Sequence, residues 1–422
     1  MFNATFTKFY RNLVLETLHR GRSGTLRLTM PGGASRMFGG LDKELHAEIK
    51  VKNDTFYRRW VLYGFIGLAE SYFHGEWETN HLTEVIAWFF LNNKFFSGQK
   101  ANEQGLEKHN LLGITNQFQH FLRHGHKRRK QTLFYDQNNV NFHFFQYWLD
   151  PSMAYSAAYY QASTEKLTTA QETKWERLCQ KLQLAPHDYV LDIGCGWGGF
   201  AIYAAKKYGC RIQATTISEE QFRQTAIRVE KAGLASLIEV VFCDYQNLGG
   251  RFDKIVGIEM MDAITDRDLE SFFAKMEILL APQGLLALQL VLCPDNQYPL
   301  LRDSVDFVQK YIAPKTLTPS LRRITEACNE TSNLNLFDCE DITPSAARTV
   351  ATWREAFTNA LPKMQKQGFP SLFLRKWFYY LCYCEAALGT RSRTTVQALY
   401  TRPTNLALKS PLYSFVDSVE AI

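Results

Sequence analysis

Long apolar runs, a signal peptide and paired cysteines are missing from this sequence. No stretch reaches the roughly 18 uncharged apolar residues of a membrane-spanning helix. Residues 1–22 lack the continuous apolar segment of a secretory signal. The nine cysteines form no Cys-x-x-Cys pair, which argues against a zinc site and a disulfide framework, so no metal is expected. These absences exclude membrane-spanning and disulfide-stabilised secreted classes and predict a cytoplasmic protein.

The chain of 422 residues is too long for one ordinary domain. Apolar residues make up 46% and charged residues 21%, as in a globular protein with a sizeable core. Aromatic residues reach 14%, which suits a lipid-binding pocket as well as an ordinary core. The formal net charge of +6 is spread along the chain and is weak evidence for an anionic partner.

Two domains are predicted. Residues 1–130 are expected to form a smaller α+β accessory domain for lipid, membrane or dimer contact. Its strands are predicted over Ser23–Met30 and His46–Val51, and its helices over Phe56–Leu91. Residues 131–422 are expected to form the larger, catalytic domain.

The densest charge cluster is Arg123–Lys130, with the sequence RHGHKRRK. One interpretation is a solvated linker between the domains. A second is a contact with anionic lipid headgroups, because each basic residue near such a surface contributes about 1 kcal/mol. Nucleic acid is disfavoured, since no recognised nucleic-acid-binding module accompanies the cluster.

From Gln171 onward, strand-like and helix-like segments alternate, which predicts a doubly wound, mostly parallel sheet. Ligands of such sheets bind at the carboxyl ends of the strands. The predicted strands are Tyr189–Ile193, Arg211–Ile217, Ile238–Cys243, Lys254–Glu259 and Leu285–Leu292. Helices are predicted over Glu219–Ala232 and Asp268–Leu280. Further helices, suited to a lid, are predicted over Asp303–Tyr311, Pro319–Cys328 and Ala346–Ala360.

Residues 190–199, VLDIGCGWGG, combine a short strand, a glycine turn and the start of a helix. Gly194, Gly196 and Gly199 match the Gly-x-Gly-x-x-Gly spacing of NAD and FAD sites. Asp192 favours a different ligand, because a pyrophosphate at a helix N-terminus disfavours a neighbouring carboxylate. S-adenosylmethionine (SAM) has no phosphate, and its ammonium and sulfonium suit an acid. SAM is the favoured ligand, with NAD or FAD and a purely structural turn as alternatives.

Four segments together resemble the SAM-dependent methyltransferases of the cyclopropane-fatty-acyl-phospholipid synthase and mycolic-acid cyclopropane synthase family. They are LDPSMAYS at 149–156, LDIGCGWGG at 191–199, TISEEQ at 216–221, and Asp244-Tyr245. The resemblance spans about residues 150–390, and the N-terminal part resembles the accessory domain of longer bacterial members. It implies a Rossmann-like class I methyltransferase domain with a helical lid. It also implies SAM as co-substrate and an unsaturated acyl phospholipid as substrate.

The resemblance implies a set of residues that surrounds SAM from its methionine end to its adenine. The methionine part would contact Tyr155, Ser156, Asp192, Gly194 and Gly196. The ribose and adenine would contact Thr216, Ser218, Gln221, Asp244 and Tyr245. Short hydroxyl and amide side chains can hydrogen-bond ribose hydroxyls, but Ser218 is also explained as a helix cap alone.

In the family a bound bicarbonate is the base that removes a proton, and this chain departs from the positions of its ligands. Where the family has Cys, Glu, His, His and Tyr, the chain has Ala157, Asp262, Ala263, Gln289 and Ala346. A further departure is the segment FYD at 134–136. Bicarbonate binding is therefore in doubt. Asp262 keeps a carboxylate near the expected site and is a candidate base.

The C-terminal signature of the family is retained better. The segment YYLCYCEA at 379–386 resembles a helix of the family in which a cysteine is often marked as active, and Cys384 occupies that position. A cysteine on an apolar helix is also explained as core. Glu385 is another candidate acid or base, or lies on the exposed face of that helix.

Three hypotheses follow. The first is a lipid C-methyltransferase that works without bicarbonate and forms a methyl-branched alkene, with Asp262 or Glu385 as base. The second is a cyclopropane synthase with a rebuilt base site, and the third is a SAM- or lipid-binding homologue that acts as partner or regulator. The intact cofactor motifs favour an enzyme. The expected setting is peripheral contact with the anionic inner face of the membrane, without nucleic acid, and a homodimer is compatible with the sequence.

Overall fold

The computed structural model describes residues 2–40, 45–96, 140–314 and 316–403, together with 405 and 408. Residues 2–5 are described by their backbone alone. Three features singled out in the sequence lie outside the described residues: the predicted domain boundary at 130, the basic cluster Arg123–Lys130 and the segment at 134–136.

The chain divides into two compact units, each with its own core. The first comprises Met1–Tyr135, Pro299–Lys315 and Trp353–Ser392. The second comprises Asp136–Tyr298, Thr316–Thr352 and Arg393–Ile422. Two segments of the C-terminal half, 299–315 and 353–392, therefore belong to the same unit as the N-terminal residues.

The helices and strands are numbered in chain order. The strands are β1 (Thr25–Thr29), β2 (Ser35–Gly39), β3 (His46–Val51), β4 (Trp77–Glu78), β5 (Tyr189–Ile193), β6 (Arg211–Thr216), β7 (Ile238–Phe242), β8 (Phe252–Ile258), β9 (Leu280–Leu292), β10 (Asn335–Asp341) and β11 (Thr394–Thr401). The helices are α1 (Phe2–Leu18), α2 (Thr55–Phe73), α3 (Leu82–Phe96), α4 (Phe142–Phe145), α5 (Leu167–Lys181), α6 (Gly199–Tyr208), α7 (Glu219–Lys231), α8 (Leu269–Leu279), α9 (Tyr298–Arg302), α10 (Phe307–Tyr311), α11 (Leu321–Thr331), α12 (Thr343–Lys366) and α13 (Ser371–Gly389).

The first unit contains a four-stranded sheet with the order β2-β1-β3-β4. Trp77 and Trp88 are fully buried in its core. Helix α13 packs against α3 and α2, and Tyr379 of α13 contacts the rings of Tyr72, Phe73 and Phe307. The C-terminal helix is thus part of the aromatic core of this unit.

The second unit contains a seven-stranded sheet with the order β10-β11-β9-β8-β5-β6-β7. The pairs from β9 to β7 are parallel, and β11 pairs antiparallel with β9 and β10. Alternate residues of β5 enter different apolar clusters, Leu191 and Ile193 on one side and Val190 on the other. The sheet is therefore covered on both faces, which confirms the prediction of a doubly wound, Rossmann-like α/β domain.

Most predicted elements are present, with differences at several places. β3 and β5 have the predicted bounds, whereas the helical region predicted over 56–91 is interrupted by the short strand β4. The helix predicted from Asp303 is helical only from Phe307, because Asp306 caps that helix in a capping box with Gln309. β10 and β11 were not predicted. Within the described ranges, no helix is both long and apolar enough to span a membrane.

Candidate functional site

The turn after β5 requires glycine at more than one position. Gly194, Gly196 and Gly198 have φ values of 70°, 55° and 80°, in the left-handed region. A Cβ atom on Gly194 would lie 3.1 Å from Cβ of Met260, and one on Gly198 would lie 2.6 Å from Cγ2 of Thr225. Helix α6 begins directly after this turn, so its N-terminus and the carboxyl end of β5 face the same space.

Asp192 lies one residue before the end of β5 and is 2% exposed. No hydrogen-bond donor within the described part of the chain reaches its Oδ2 atom. Burial raises the pKa of Asp192 to about 7. A buried carboxylate oxygen without a donor beside a glycine turn suits an ammonium group, as the sequence predicted.

Helix α5 holds the Tyr155-Ser156 segment in place. The fully buried Lys174 donates from Nζ to Oγ of Ser156 at 2.8 Å, and Gln171 donates from Nε2 to the Ser156 carbonyl at 3.0 Å. Burial lowers the pKa of Lys174 to about 7, against the opposing charges of Glu259 and Asp150. Gln171 and Lys174 were not predicted as site residues, although their spacing of three places both on one face of a helix.

The residues predicted for the ribose form a compact group after β6. Thr216 donates from Oγ1 to Oε1 of Gln221 at 2.7 Å, and Ser218 Oγ accepts from the Gln221 backbone N–H at 3.3 Å. Ser218 is therefore the N-cap of α7, as the alternative interpretation held. The cap fixes the position of all three side chains at the carboxyl end of β6.

The predicted adenine residues follow β7. Asp244 accepts from the Gln246 backbone N–H at 3.0 Å and caps a short 3₁₀ turn, Tyr245–Asn247. Burial raises the pKa of Tyr245 to about 12, and its ring packs edge-on against Phe272. The aromatic ring and the acid are thus held by local structure at the strand end.

Aromatic rings flank the glycine turn. Tyr155 packs against Phe145 and Trp148, and Trp197 of the turn itself packs against Phe142 and Phe145. Such π faces suit a sulfonium and an apolar chain. The residues after β5, β6 and β7 therefore fit SAM: an acid without a donor for the ammonium, hydroxyl and amide groups, and aromatic walls.

Asp262 lies in a 3₁₀ turn, Met261–Ala263, shortly after β8. Its Oδ1 atom is buried and receives no hydrogen bond from any described residue. Burial, with a smaller contribution from the charge of Glu259, raises the pKa of Asp262 to about 7. A carboxylate with such a pKa can accept a proton near neutral pH.

Glu259 is a functional candidate that the sequence analysis missed. Its Oε1 atom accepts from the Ala157 backbone N–H at 2.8 Å and from Nε2 of Gln289 at 2.7 Å. Its φ of 51° is left-handed, which is strained for a side chain other than glycine. Burial raises the pKa of Glu259 against these two hydrogen bonds. Only the fold brings the three residues together, so no local pattern signals the group.

Bicarbonate does not fit this site. Ala157 and Gln289 stand at two positions where the resemblance implies bicarbonate ligands, and both donate to Glu259 instead. A second anion here would lie against the Glu259 carboxylate and would be repelled.

Cys384 and Glu385 lie on α13, in the first unit, whereas Asp262 belongs to the second. Glu385 accepts from Nε and Nη2 of Arg354 at 2.5 and 3.2 Å and from Oγ1 of Thr83 at 2.9 Å. Cys384 is partly buried. The structure therefore shows Glu385 in an ion pair between α12 and α13, with a hydrogen bond from Thr83 of α3.

Comparison with known proteins identifies the family. The sequence profile described as mycolic acid cyclopropane synthetase matches residues 123–398. The chain belongs to this family. It is 32% identical over 378 residues to the tuberculostearic acid methyltransferase UfaA1 of Mycobacterium tuberculosis, covering 87% of this chain and 85% of that protein. It is 30% identical over 365 residues to the cyclopropane-fatty-acyl-phospholipid synthase of Escherichia coli, covering 84% and 88%.

The fold agrees with solved structures. The cyclopropane synthase MmaA2 from Mycobacterium tuberculosis superposes with a TM-score of 0.58 at 23% identity, covering 62% of this chain and 95% of that one. This likeness shows the fold. Membership of the family confirms the prediction of a SAM-dependent methyltransferase, and the non-catalytic alternative is not favoured.

Proposed function

We propose that the enzyme methylates the double bond of an unsaturated acyl chain in a phospholipid and releases a methyl-branched alkene. The relatives include both a methyltransferase and a cyclopropane synthase by name. The observation that carries the choice is the replacement of the bicarbonate ligands, with a protein carboxylate on the remaining donors. A base in a different position can remove a proton from a different carbon, and loss of a proton from a carbon next to the cation gives an alkene.

When bound, SAM supplies an electrophilic methyl group, whose transfer to an alkene leaves a carbocation on the acyl chain. Asp192 would hold the ammonium, Ser156 the methionine carboxylate, and the aromatic walls would exclude water. A C–H bond next to the cation then breaks, its electron pair forms the new double bond, and the proton passes to Asp262. Asp262 returns that proton to solvent, so the enzyme is unchanged.

The experiment is expression in a host rich in unsaturated phospholipid, fed with methyl-labelled methionine, followed by analysis of the acyl chains. Labelled branched alkene is expected. Labelled cyclopropane would replace this proposal with the second hypothesis. Absence of label, with SAM binding measured on the purified protein, would support the third.

The catalytic roles of Asp262, Cys384 and Glu385 stay predictions, which single variants separate. Asp262→Asn should lower kcat about 100-fold or more, the usual effect of removing a general base, with SAM affinity retained. Full activity in this variant would remove Asp262 from the mechanism.

We also propose a peripheral contact with anionic membrane, supported by the basic cluster Arg123–Lys130 in the sequence. Co-sedimentation with vesicles should be stronger for anionic than for neutral lipid and should weaken as salt rises. Equal binding to both lipid types would contradict it. Residues 1–130 are proposed to contribute to this contact or to a homodimer, whose mass light scattering would measure.

A further inference from the structure

We propose that the carboxylate of Glu259 replaces bicarbonate as the anion of the active site and faces the carbocation on the acyl chain. The proposal rests on the proposed function for the identity of that cation. It assigns a role to a residue outside the predicted catalytic set.

The hydrogen bonds at Glu259 are those of a built anion site. One oxygen, Oε1, accepts two N–H groups, from the Ala157 backbone and the Gln289 side chain. Gln397 donates from Nε2 to Oε1 of Gln289 at 3.1 Å, which orients the Gln289 amide so that its NH₂ group faces Glu259. Gln289 also donates to the Ala157 carbonyl at 2.9 Å, so the backbone and side-chain donors are held in one unit.

The second oxygen is the one available to substrate. Within the described residues, no donor hydrogen-bonds Oε2 of Glu259. The residue directly follows β8, the strand that pairs with β5 in the sheet. Its neighbour Met260 is in contact range of Gly194, which places Glu259 at the edge of the predicted cofactor turn. The left-handed backbone at this position is the kind of strain that clusters at active sites.

The charges near Glu259 give the carboxylates of Glu259 and Asp262 different roles. Lys174 stabilises the charged form of Glu259, whereas Asp262 lies close enough to feel its negative charge. The Glu259 carboxylate, whose Oε1 atom accepts two N–H groups, stabilises the cation. Asp262, without a donor on Oδ1, takes the proton. No external base is needed, and every proton and electron pair is accounted for.

The test uses two variants of the full chain. Glu259→Gln removes the charge and should lower kcat about 100-fold, as loss of one electrostatic stabiliser does, with the SAM dissociation constant unchanged by calorimetry. Glu259→Gly fits the left-handed backbone and leaves Ala157 and Gln289 as open donors. Added bicarbonate or acetate should then restore turnover by about tenfold. Glu239→Gln, at an exposed position of β7, is the matched control and should be unaffected.

A pH profile separates this role from a structural one. Because the charge of Glu259 helps to raise the pKa of Asp262, the acid limb of kcat in Glu259→Gln should move to lower pH. Turnover of Glu259→Gln within about threefold of the parent, or no recovery of Glu259→Gly with added anions, would overturn the proposal. Failure of the proposed function would appear instead as a different product of the unmodified enzyme. The kcat comparison between the Glu259 variants and the parent does not depend on which product is formed.

Discussion

At the scale of single residues, Asp192 carries a charge that burial disfavours until a ligand arrives. Burial raises its pKa from 3.8 to about 7, so the folded protein binds more protons than the unfolded chain between these values. The free energy of unfolding therefore falls as the pH rises through that interval. Above pH 7, ligand-free Asp192→Asn should melt about 2 °C higher than the parent.

The same variant should bind SAM about tenfold more weakly, because the ammonium loses its anion. Differential scanning calorimetry and titration calorimetry measure the two effects on one sample. The control is Asp188→Asn at the opposite end of the strand, where the carboxylate accepts from the Ala185 N–H. That variant should lose stability and keep SAM affinity. Unchanged SAM affinity in Asp192→Asn would contradict the assignment.

Lys174 offers a second test on a single helix. Its ammonium donates to Ser156, whose hydroxyl is then free to donate to the methionine carboxylate of SAM. Lys174→Met should weaken SAM binding about tenfold, measured by calorimetry. Lys181 is equally buried on the same helix but pairs with Asp338 and Glu340. Lys181→Met should destabilise the fold without affecting SAM, and equal affinity losses in both variants would contradict the prediction.

The sequence predicted residues whose role depends on a local pattern. Asp192 and the glycines lie in one continuous segment, and Ser218 is recognisable as a cap because Gln221 follows three residues later. Glu259 was missed because its partners, Ala157 and Gln289, come from distant parts of the chain. The register of β8 against β9 brings Gln289 beside Glu259, and no single segment encodes that register.

At the scale of elements, the ion pair of Glu385 with Arg354 joins α13 to α12, and a hydrogen bond from Thr83 links α3 to them. Arg354 and Glu385 side chains are 33% and 17% exposed, so the pair is partly screened. Glu385→Gln should lower the free energy of unfolding by about 1–2 kcal/mol, measured by urea denaturation. The conservative partner variant Arg354→Lys should lower the free energy of unfolding by less than Glu385→Gln does. A lysine keeps the positive charge and loses only the forked pair of guanidinium donors.

Turnover of folded Glu385→Gln decides between structure and catalysis. A structural role predicts kcat within about threefold of the parent below the melting temperature. A loss of kcat as large as that of Asp262→Asn, at unchanged stability, would restore the sequence prediction that Glu385 is a base.

Strand prediction succeeded for β5 and failed for β10, at one edge of the sheet, and for its neighbour β11. β5 has an apolar sequence with only Asp192 as an exception, and its bounds were predicted. β10 alternates between exposed and partly buried residues and contains three acidic residues, so its composition does not suggest a strand. The strand forms because it pairs with β11, although its own residues have a low strand propensity.

At the scale of the whole molecule, the sequence predicted two domains but not that residues 299–315 and 353–392 group with the N-terminal residues. Both segments follow the methyltransferase motifs in the chain, yet they belong to the unit of the N-terminal residues, where α10 packs against α2 and α13 packs against α2 and α3. The reason is the aromatic contacts of Phe307 and Tyr379 with Phe73, which only long-range packing reveals. The prediction assigned residues 131–422 to one domain because they are consecutive in the sequence. The two units of the structure are instead defined by which residues pack together.

Because the two units have separate cores, a ligand of the SAM site should protect only the second unit from hydrogen exchange. All residues proposed to hold SAM belong to the second unit: Tyr155 and Ser156 precede α5, and the others lie at the carboxyl ends of β5, β6 and β7. S-adenosylhomocysteine should therefore slow hydrogen exchange in residues 153–157, 192–199 and 214–221 and leave the sheet β1–β4 unchanged. Asp192→Asn, which should reduce affinity, supplies the control at the same ligand concentration. Protection confined to the first unit would place the ligand elsewhere and contradict the glycine turn as its site.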